Sequence, residues 1–443
     1  MAGHMVNAPD CPRAHGAAQS RLMNAIDPRR GQHLVRADRL IPHARLPLSG
    51  RVLAGFGHRL LNRIDAGLEH GRLEAWLPDG SFRVLGARGD GPTCEVRLRD
   101  WRALVRLIAT GSVGWYRAWE AGEWDSPDPV PLFALFMANA PSLGGTARSH
   151  GPLRWLSRLM HGLRANSRKG ARRNIAAHYD LGNDFYALWL DAGMNYSSAL
   201  FADPAHPDEG LEAAQLAKID AALDRLELKS GDRLLEIGCG WGGFAERALD
   251  HADIDYDGLT LSREQAAWAR TRLPAGRAAI HLTDYRDARG SYDAIASIEM
   301  MEAVGQNYWP AYLGAIHGLL KPGGRAAIQY ISIDDRVFER YATSADFIQT
   351  YIFPGGMLVS ESRFRALAEQ QGLAWRDKVS FGQHYATTLR LWRERFDAAV
   401  DEGRLSAAFD ERFVRLWRYY LMYCEGGFAG GGIDVAQVTL VKK

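Results

Sequence analysis

The chain has 443 residues, too many for one ordinary core, so two domains are expected. A hydrophobic fraction of 47% and a charged fraction of 24% suit a globular protein, and a formal net charge of +2 argues against a bulk nucleic-acid binder. The four cysteines (Cys11, Cys94, Cys239, Cys424) are scattered, with no CxxC pair and no histidine cluster at metal spacing, which suggests a reducing compartment and no bound metal.

No apolar run of about 18 residues occurs and the start carries no apolar signal core, so neither a membrane-spanning helix nor secretion is expected, and the location is read as cytoplasmic. Residues 1–45 are rich in Arg, Ala and Pro without periodicity and are expected to form a flexible arm. A smaller N-terminal α+β domain is expected over 46–140. Residues 73–85 read as two short strands around an Asp79-Gly80 turn, 94–98 as a strand, and 101–109 and 127–139 as helices.

Residues 141–173 hold eight Lys/Arg and no acid, with Trp155, Leu156, Leu159, Met160 and Leu163 interleaved at helical spacing. This is either a solvated basic linker or an interfacial helix that meets an anionic membrane surface. A second domain is expected over 174–443. It begins with a dense polar and aromatic stretch, 174–186 continuing to 194–201, which is either a surface connection or a cap over a ligand.

From Asp232 onward strands and helices alternate as in a doubly wound α/β sheet. The apolar run 234–237 reads as a buried parallel strand. Four glycines in six positions follow it, including Gly238, Gly240 and Gly242, and then a helix. Such a turn is either a tight βα connection or a cradle that lets backbone approach a ligand. Glu236, just before the first glycine, would repel a phosphate and favour a cationic or hydroxyl-bearing ligand. Further strands are expected at 256–261, 278–282, 292–297 and 325–332, the last after a sharp turn at 321–324. An aromatic insertion (Phe338, Tyr341, Phe347, Tyr351, Phe353) comes next. Helices at 360–371, 388–402 and 406–424, a glycine-rich turn at 426–432 and a strand at 435–441 complete the domain.

Glu236-x-Gly238-x-Gly240-x-Gly242 resembles motif I of class I S-adenosylmethionine-dependent methyltransferases. Together with 178–185, Tyr196-Ser197, 259–265, 284–287, 297–302, 351–356, 384–388 and 423–428, it resembles the cyclopropane-fatty-acyl-phospholipid synthase and mycolic acid cyclopropane synthase family over roughly 170–443. The N-terminal domain resembles that of the longer, phospholipid-acting members. The resemblance implies a Rossmann-like class I methyltransferase domain that binds S-adenosyl-L-methionine. It would methylate the double bond of unsaturated phospholipid acyl chains, forming cyclopropane fatty acids, as a peripheral protein of the inner membrane face. A homodimer stays open. By the same resemblance the cofactor would be held by Tyr196, Ser197, Glu236, Gly238, Gly240, Gly242, Thr260, Gln265, Asp284 and Tyr285. Thr260 and Gln265 would replace the acidic ribose reader usual at that strand end.

Family synthases are thought to remove the departing proton with a bound bicarbonate held by polar side chains. Glu302 matches the family glutamate and Tyr385 the family tyrosine. Three positions depart: Ser198 stands where Cys is usual, Ala303 where His follows the glutamate, and Gln329 where a second His aligns. Loss of the imidazoles removes a proton relay, so the alternatives are methyl transfer without ring closure (methylene, methyl-branched or furan-precursor chains) and small-amine N-methylation. A lipid-binding protein with a degenerate cofactor site is the reading outside enzymes.

Overall fold

The computed structural model describes residues 30–38, 50–144, 170, 178, 181–344 and 346–443. Around Asp79-Gly80 the expected hairpin forms, with β1 (Arg72–Trp76) antiparallel to β2 (Phe82–Gly86). Gly80 sits at φ 82°, a backbone state that a side chain disfavours. β3 (Thr93–Leu98) runs parallel to β1, and β4 (Trp124–Asp125) completes a sheet of order β2-β1-β3-β4. Leu73, Ala75, Leu85, Cys94 and Val96 alternate inward from this sheet. Helices Gly50–Gly67, Arg102–Thr110, Ser112–Glu120 and Val130–Ala138 belong to the same unit. Within the 1–45 arm, Gln32–Val35 form a helical turn with Leu34 and Val35 buried. Asp38 accepts a 2.6 Å hydrogen bond from Arg117 Nε. Most of the basic stretch 141–173 lies outside the described residues.

The second sheet has seven strands: β5 (Arg233–Ile237), β6 (Asp255–Leu259), β7 (Ala278–His281), β8 (Tyr292–Ile298), β9 (Leu320–Ile333), β10 (Leu373–Ser380) and β11 (Ile433–Lys442). Their order is β10-β11-β9-β8-β5-β6-β7. β5 to β9 pair in parallel, while β11 pairs antiparallel with both β9 and β10. The order reverses between β5 and β8, and the crevice beyond the carboxyl ends of those strands is where doubly wound sheets bind ligands. Among the described residues no helix is long and apolar enough to cross a membrane.

Three expectations change. Residues 321–324 do not end a turn before β9; they bulge within it. Tyr292 pairs with Leu320 and Ala294 with Arg325, so the extra residues loop out with Gly323 at φ 77°. Gly426 and Gly427 lie inside the helix Glu411–Ala429, because a side chain there would collide with its neighbour. A Cβ on Gly426 would stand 2.5 Å from Phe133 Cβ and 2.6 Å from the Val130 carbonyl oxygen. β10 gave no alternating signal since it is an edge strand whose only buried residue is Leu373.

The two domains share one apolar core. Tyr116 meets Tyr351 and Tyr419 at ring-centroid distances of 4.8 and 5.0 Å, and Phe133 meets Tyr419 at 5.3 Å. Phe338, Phe347 and Tyr351 of the aromatic insertion are core residues, while Tyr341 and Phe353 line a cavity.

Candidate active site

A cavity of about 500 Å³, the size of a small-ligand pocket, opens at the carboxyl ends of β5 and β8. Its wall on one side is the glycine turn with Thr260, Gln265, Asp284 and Tyr285. On the other side it is N-terminal-domain residues, including Leu107, Trp115, Phe133, Phe136 and Met137. The cavity therefore runs between the domains.

Gly238, Gly240 and Gly242 have φ of 88°, 51° and 84°. The amides of Gly238 and Cys239 both donate to the Leu259 carbonyl at 2.9 Å, which ties the turn to the end of β6. A Cβ on Gly240, which lines the cavity, would meet nothing within 4 Å, so the absent side chain leaves room there. Gly242 stands outside the cavity wall: a Cβ there would meet Ala269 at 3.3 Å, so its small size serves helix packing. Glu236 is buried and accepts a hydrogen bond from the Tyr256 hydroxyl. Burial pushes its carboxyl up to about 8, against the pull of Tyr256 and Lys218.

Thr260 Oγ1 donates to Gln265 Oε1 at 2.9 Å, and Ser262 caps the helix Arg263–Arg272 by accepting from the Gln265 amide. That cap fixes the pair at the cavity wall. Asp284 holds Arg286 through Nε (2.8 Å) and a terminal nitrogen (2.6 Å), which stiffens the loop presenting Tyr285. Tyr196 stacks on His178 with planes 6° apart, and its hydroxyl lies 2.8 Å from that of Tyr420. Ser197 Oγ accepts from Lys218 Nζ at 2.7 Å.

The other group of predicted residues converges on a side chain that sequence reading passed over, Glu299. Its Oε1 accepts from the Ser198 backbone N–H (2.8 Å) and from Gln329 Nε2 (2.7 Å), and its Oε2 from the Tyr385 hydroxyl (2.7 Å). Gln329 is held in that orientation because Gln437 Nε2 donates to its carbonyl at 3.0 Å. Ser198 takes part through its main chain; its hydroxyl turns away and donates to the Ala199 carbonyl at 2.9 Å. Ser198 and Gln329 are fully buried behind the cavity wall, while Glu299, Glu302 and Tyr385 line it. Glu299 sits at φ 49°, in the left-handed region that favours glycine, a strain expected where function demands it. That conformation and the Glu299–Glu302 spacing are the signals that mark it.

Burial raises the Glu299 carboxyl, while its three donors and Lys218 pull the other way. Glu302 lacks such support. Its Oε1 accepts from the Ile331 N–H, but its buried Oε2 has no partner among the described residues. Burial, then the charge of Glu299, push it to about 8. Two neighbouring carboxyls thus have divergent environments, the pattern of sites that separate acid and base duties.

Residues 166–438 match the family model described as mycolic acid cyclopropane synthetase. The chain is 41% identical over 405 residues to the tuberculostearic acid methyltransferase of Mycobacterium tuberculosis, covering 88% of this chain and 92% of the relative. It is 33% identical over 358 residues to the cyclopropane-fatty-acyl-phospholipid synthase of Escherichia coli, covering 80% and 89%. Among solved structures, a cyclopropane synthase from Mycobacterium tuberculosis superposes with a TM-score of 0.57 at 33% identity, over 61% of this chain and 98% of that one. A mycolic acid cyclopropane synthase complexed with S-adenosylhomocysteine matches equally, with TM-score 0.57 and 33% identity over 61% of this chain and 98% of that one.

Proposed function

The chain belongs to the mycolic acid cyclopropane synthetase family, and from that premise we propose that it methylates the double bond of an unsaturated phospholipid acyl chain, with Glu299 taking the departing proton. The protein is an S-adenosylmethionine-dependent methyltransferase. The residues present fit that cofactor: Gly240 leaves space at the cavity wall, and the polar groups of Ser197, Thr260, Gln265 and Asp284 line the same space. When bound, S-adenosylmethionine supplies an electrophilic methyl group on sulfonium. Tyr196 and Ser197 are proposed to cover its amino-acid end, Thr260 and Gln265 its ribose, and Tyr285 its base.

The acceptor is a π bond, a weak nucleophile, and its electron pair forms the new carbon–carbon bond. The adjacent carbon is left cationic, so the site must exclude water and offer aromatic faces. Trp115, Phe133, Phe353 and Tyr385 in the cavity wall suit both needs. A proton then leaves the transferred methyl carbon. If its bonding pair closes onto the cation, a cyclopropane results; if a hydride shift moves the cation first, the same pair forms a methylene branch on the open chain. Either way the chain gains one CH₂, and the base is a carboxylate of this protein.

The observation that carries this reading is the environment of Glu299. Ser198 N, Gln329 Nε2 and Tyr385 OH, at positions where the family resemblance implied a bicarbonate site, already donate to its carboxylate. A separate bicarbonate does not fit those donors, and no step is assigned to one. The second reading, methylation without ring closure, is favoured by the 41% identity to a relative named as a tuberculostearic acid methyltransferase. The basic residues of 141–173 are proposed to meet the anionic membrane face.

Incubation with S-adenosylmethionine and vesicles of unsaturated, anionic phospholipid tests the whole reading. Mass spectrometry should show acyl chains larger by one CH₂. Catalytic hydrogenation then separates the products, since a methylene takes up hydrogen more readily than a ring. Glu299→Gln should lower turnover by about 10²–10⁴-fold, the usual contribution of a general base. Its affinity for S-adenosylhomocysteine near neutral pH should fall far less than turnover; turnover near the parent value would remove Glu299 from the mechanism.

A further inference from the structure

Lys218, on the helix Gly210–Asp224, is a buried cation that none of the steps above uses. Its side chain lines the cavity, and its Nζ lies 2.7 Å from Ser197 Oγ. An ammonium has three donors and no acceptor. In that contact the serine oxygen must accept, so the serine hydrogen must point elsewhere. Ser197 itself lines the cavity, and its carbonyl is held separately by Gln215 Nε2 at 2.8 Å. Among the described residues Oγ makes no other hydrogen bond, which leaves its hydrogen free to donate into the cavity.

We infer that Lys218 is a positioning residue, which fixes the Ser197 hydroxyl as a donor toward the carboxylate of the bound methyl donor. The inference rests on the reading of Ser197 as part of the cofactor site. A serine alone would offer either face; with an ammonium behind it, only the donor face is presented.

This arrangement has a pH dependence. Burial pulls Lys218 down to about 8, while Glu299, Asp191 and Glu236 hold it up. The Asp191 carboxylate also accepts from Gly193 N, Asn195 N and Asn195 Nδ2, and Gln437 donates to the Lys218 carbonyl at 3.0 Å. Once Lys218 loses its proton the amine can accept, the Ser197 hydrogen turns toward it, and the ligand loses its donor.

Calorimetric titration with S-adenosylhomocysteine between about pH 7 and about pH 9 is the test. The parent protein should lose affinity by about tenfold across that range, the scale of one hydrogen bond to a charged group. Lys218→Arg, always protonated, should flatten the profile. Glu236 and the ligand's own amine titrate in both proteins, so the difference between the two profiles is what reports on Lys218. Lys218→Met and Ser197→Ala should each weaken binding near neutral pH, and the double variant should be no weaker than either. Additive losses, or a Lys218→Arg slope equal to the parent's, would overturn the inference. Unchanged affinity in Ser197→Ala would overturn the cofactor reading of Ser197 itself. A loss in Ser197→Ala with none in Lys218→Met would overturn the Lys218 inference alone.

Discussion

Glu299 and Glu302 are three residues apart, yet one is surrounded by donors and the other is not. Glu302, pushed up to about 8, holds its proton at neutral pH and ionises only above that. The sign for stability follows from its raised value. The unfolded carboxyl ionises near its ordinary value of about 4.3, so the folded state keeps its full advantage below that. That advantage is lost as pH rises toward 8. Thermal melts should therefore show falling stability from about pH 5 to about pH 8, and Glu302→Gln should reduce that slope. A slope unchanged in the variant would mean Glu302 does not titrate there. At this scale, motif matching singled out Tyr385, Thr260, Gln265 and Glu302, and all four line the cavity. Glu299 was not legible because its partners come from Ser198, Gln329 and Tyr385, positions far away in the chain. Ser198 contributes a main-chain N–H, which no side-chain comparison can register.

The elements were legible wherever one face is buried and the other is not. β1 and β2 fall where the hairpin signal around Asp79-Gly80 put them. Glycine was the ambiguous letter. At Gly238 and Gly240 it marks left-handed backbone beside a cavity, whereas at Gly426 it marks the crossing of helices Glu411–Ala429 and Val130–Ala138. The same letter at Gly430 would meet the Ala134 carbonyl at 2.4 Å if given a Cβ. Because the obstructing atoms are backbone and Cβ, they cannot swing aside, and the helices would have to part. Gly426→Ala should cost about 1–3 kcal/mol, as overpacking does. Gly55→Ala, on the helix Gly50–Gly67 where a Cβ meets nothing within 4 Å, should instead gain about 0.5–1 kcal/mol. Denaturant melts compare the two directly; equal effects would rule out a close crossing.

On the scale of the whole molecule, two domains were expected from length, but a shared core and a shared cavity were not, since no local pattern encodes which apolar faces meet. The helix Val130–Ala138 does both jobs: Phe133 packs on Tyr419, while Phe136 and Met137 face the cavity. Most of the residues proposed to hold the cofactor line the same cavity from the turns that follow β5, β6 and β7. An acyl chain reaching the methyl donor would therefore lie against the N-terminal domain, which would set how much chain fits. Phe136→Ala should widen that wall and shift product formation toward longer or bulkier chains, and Phe136→Trp should shift it toward shorter ones. Neither should alter S-adenosylhomocysteine affinity, because Phe136 lies on the helix Val130–Ala138 and not among the residues proposed to hold the cofactor. Competition between phosphatidylglycerols of graded acyl length, read by mass spectrometry, measures the shift. An unchanged length distribution in both variants, with donor binding intact, would mean that the acyl chain does not use this side of the cavity.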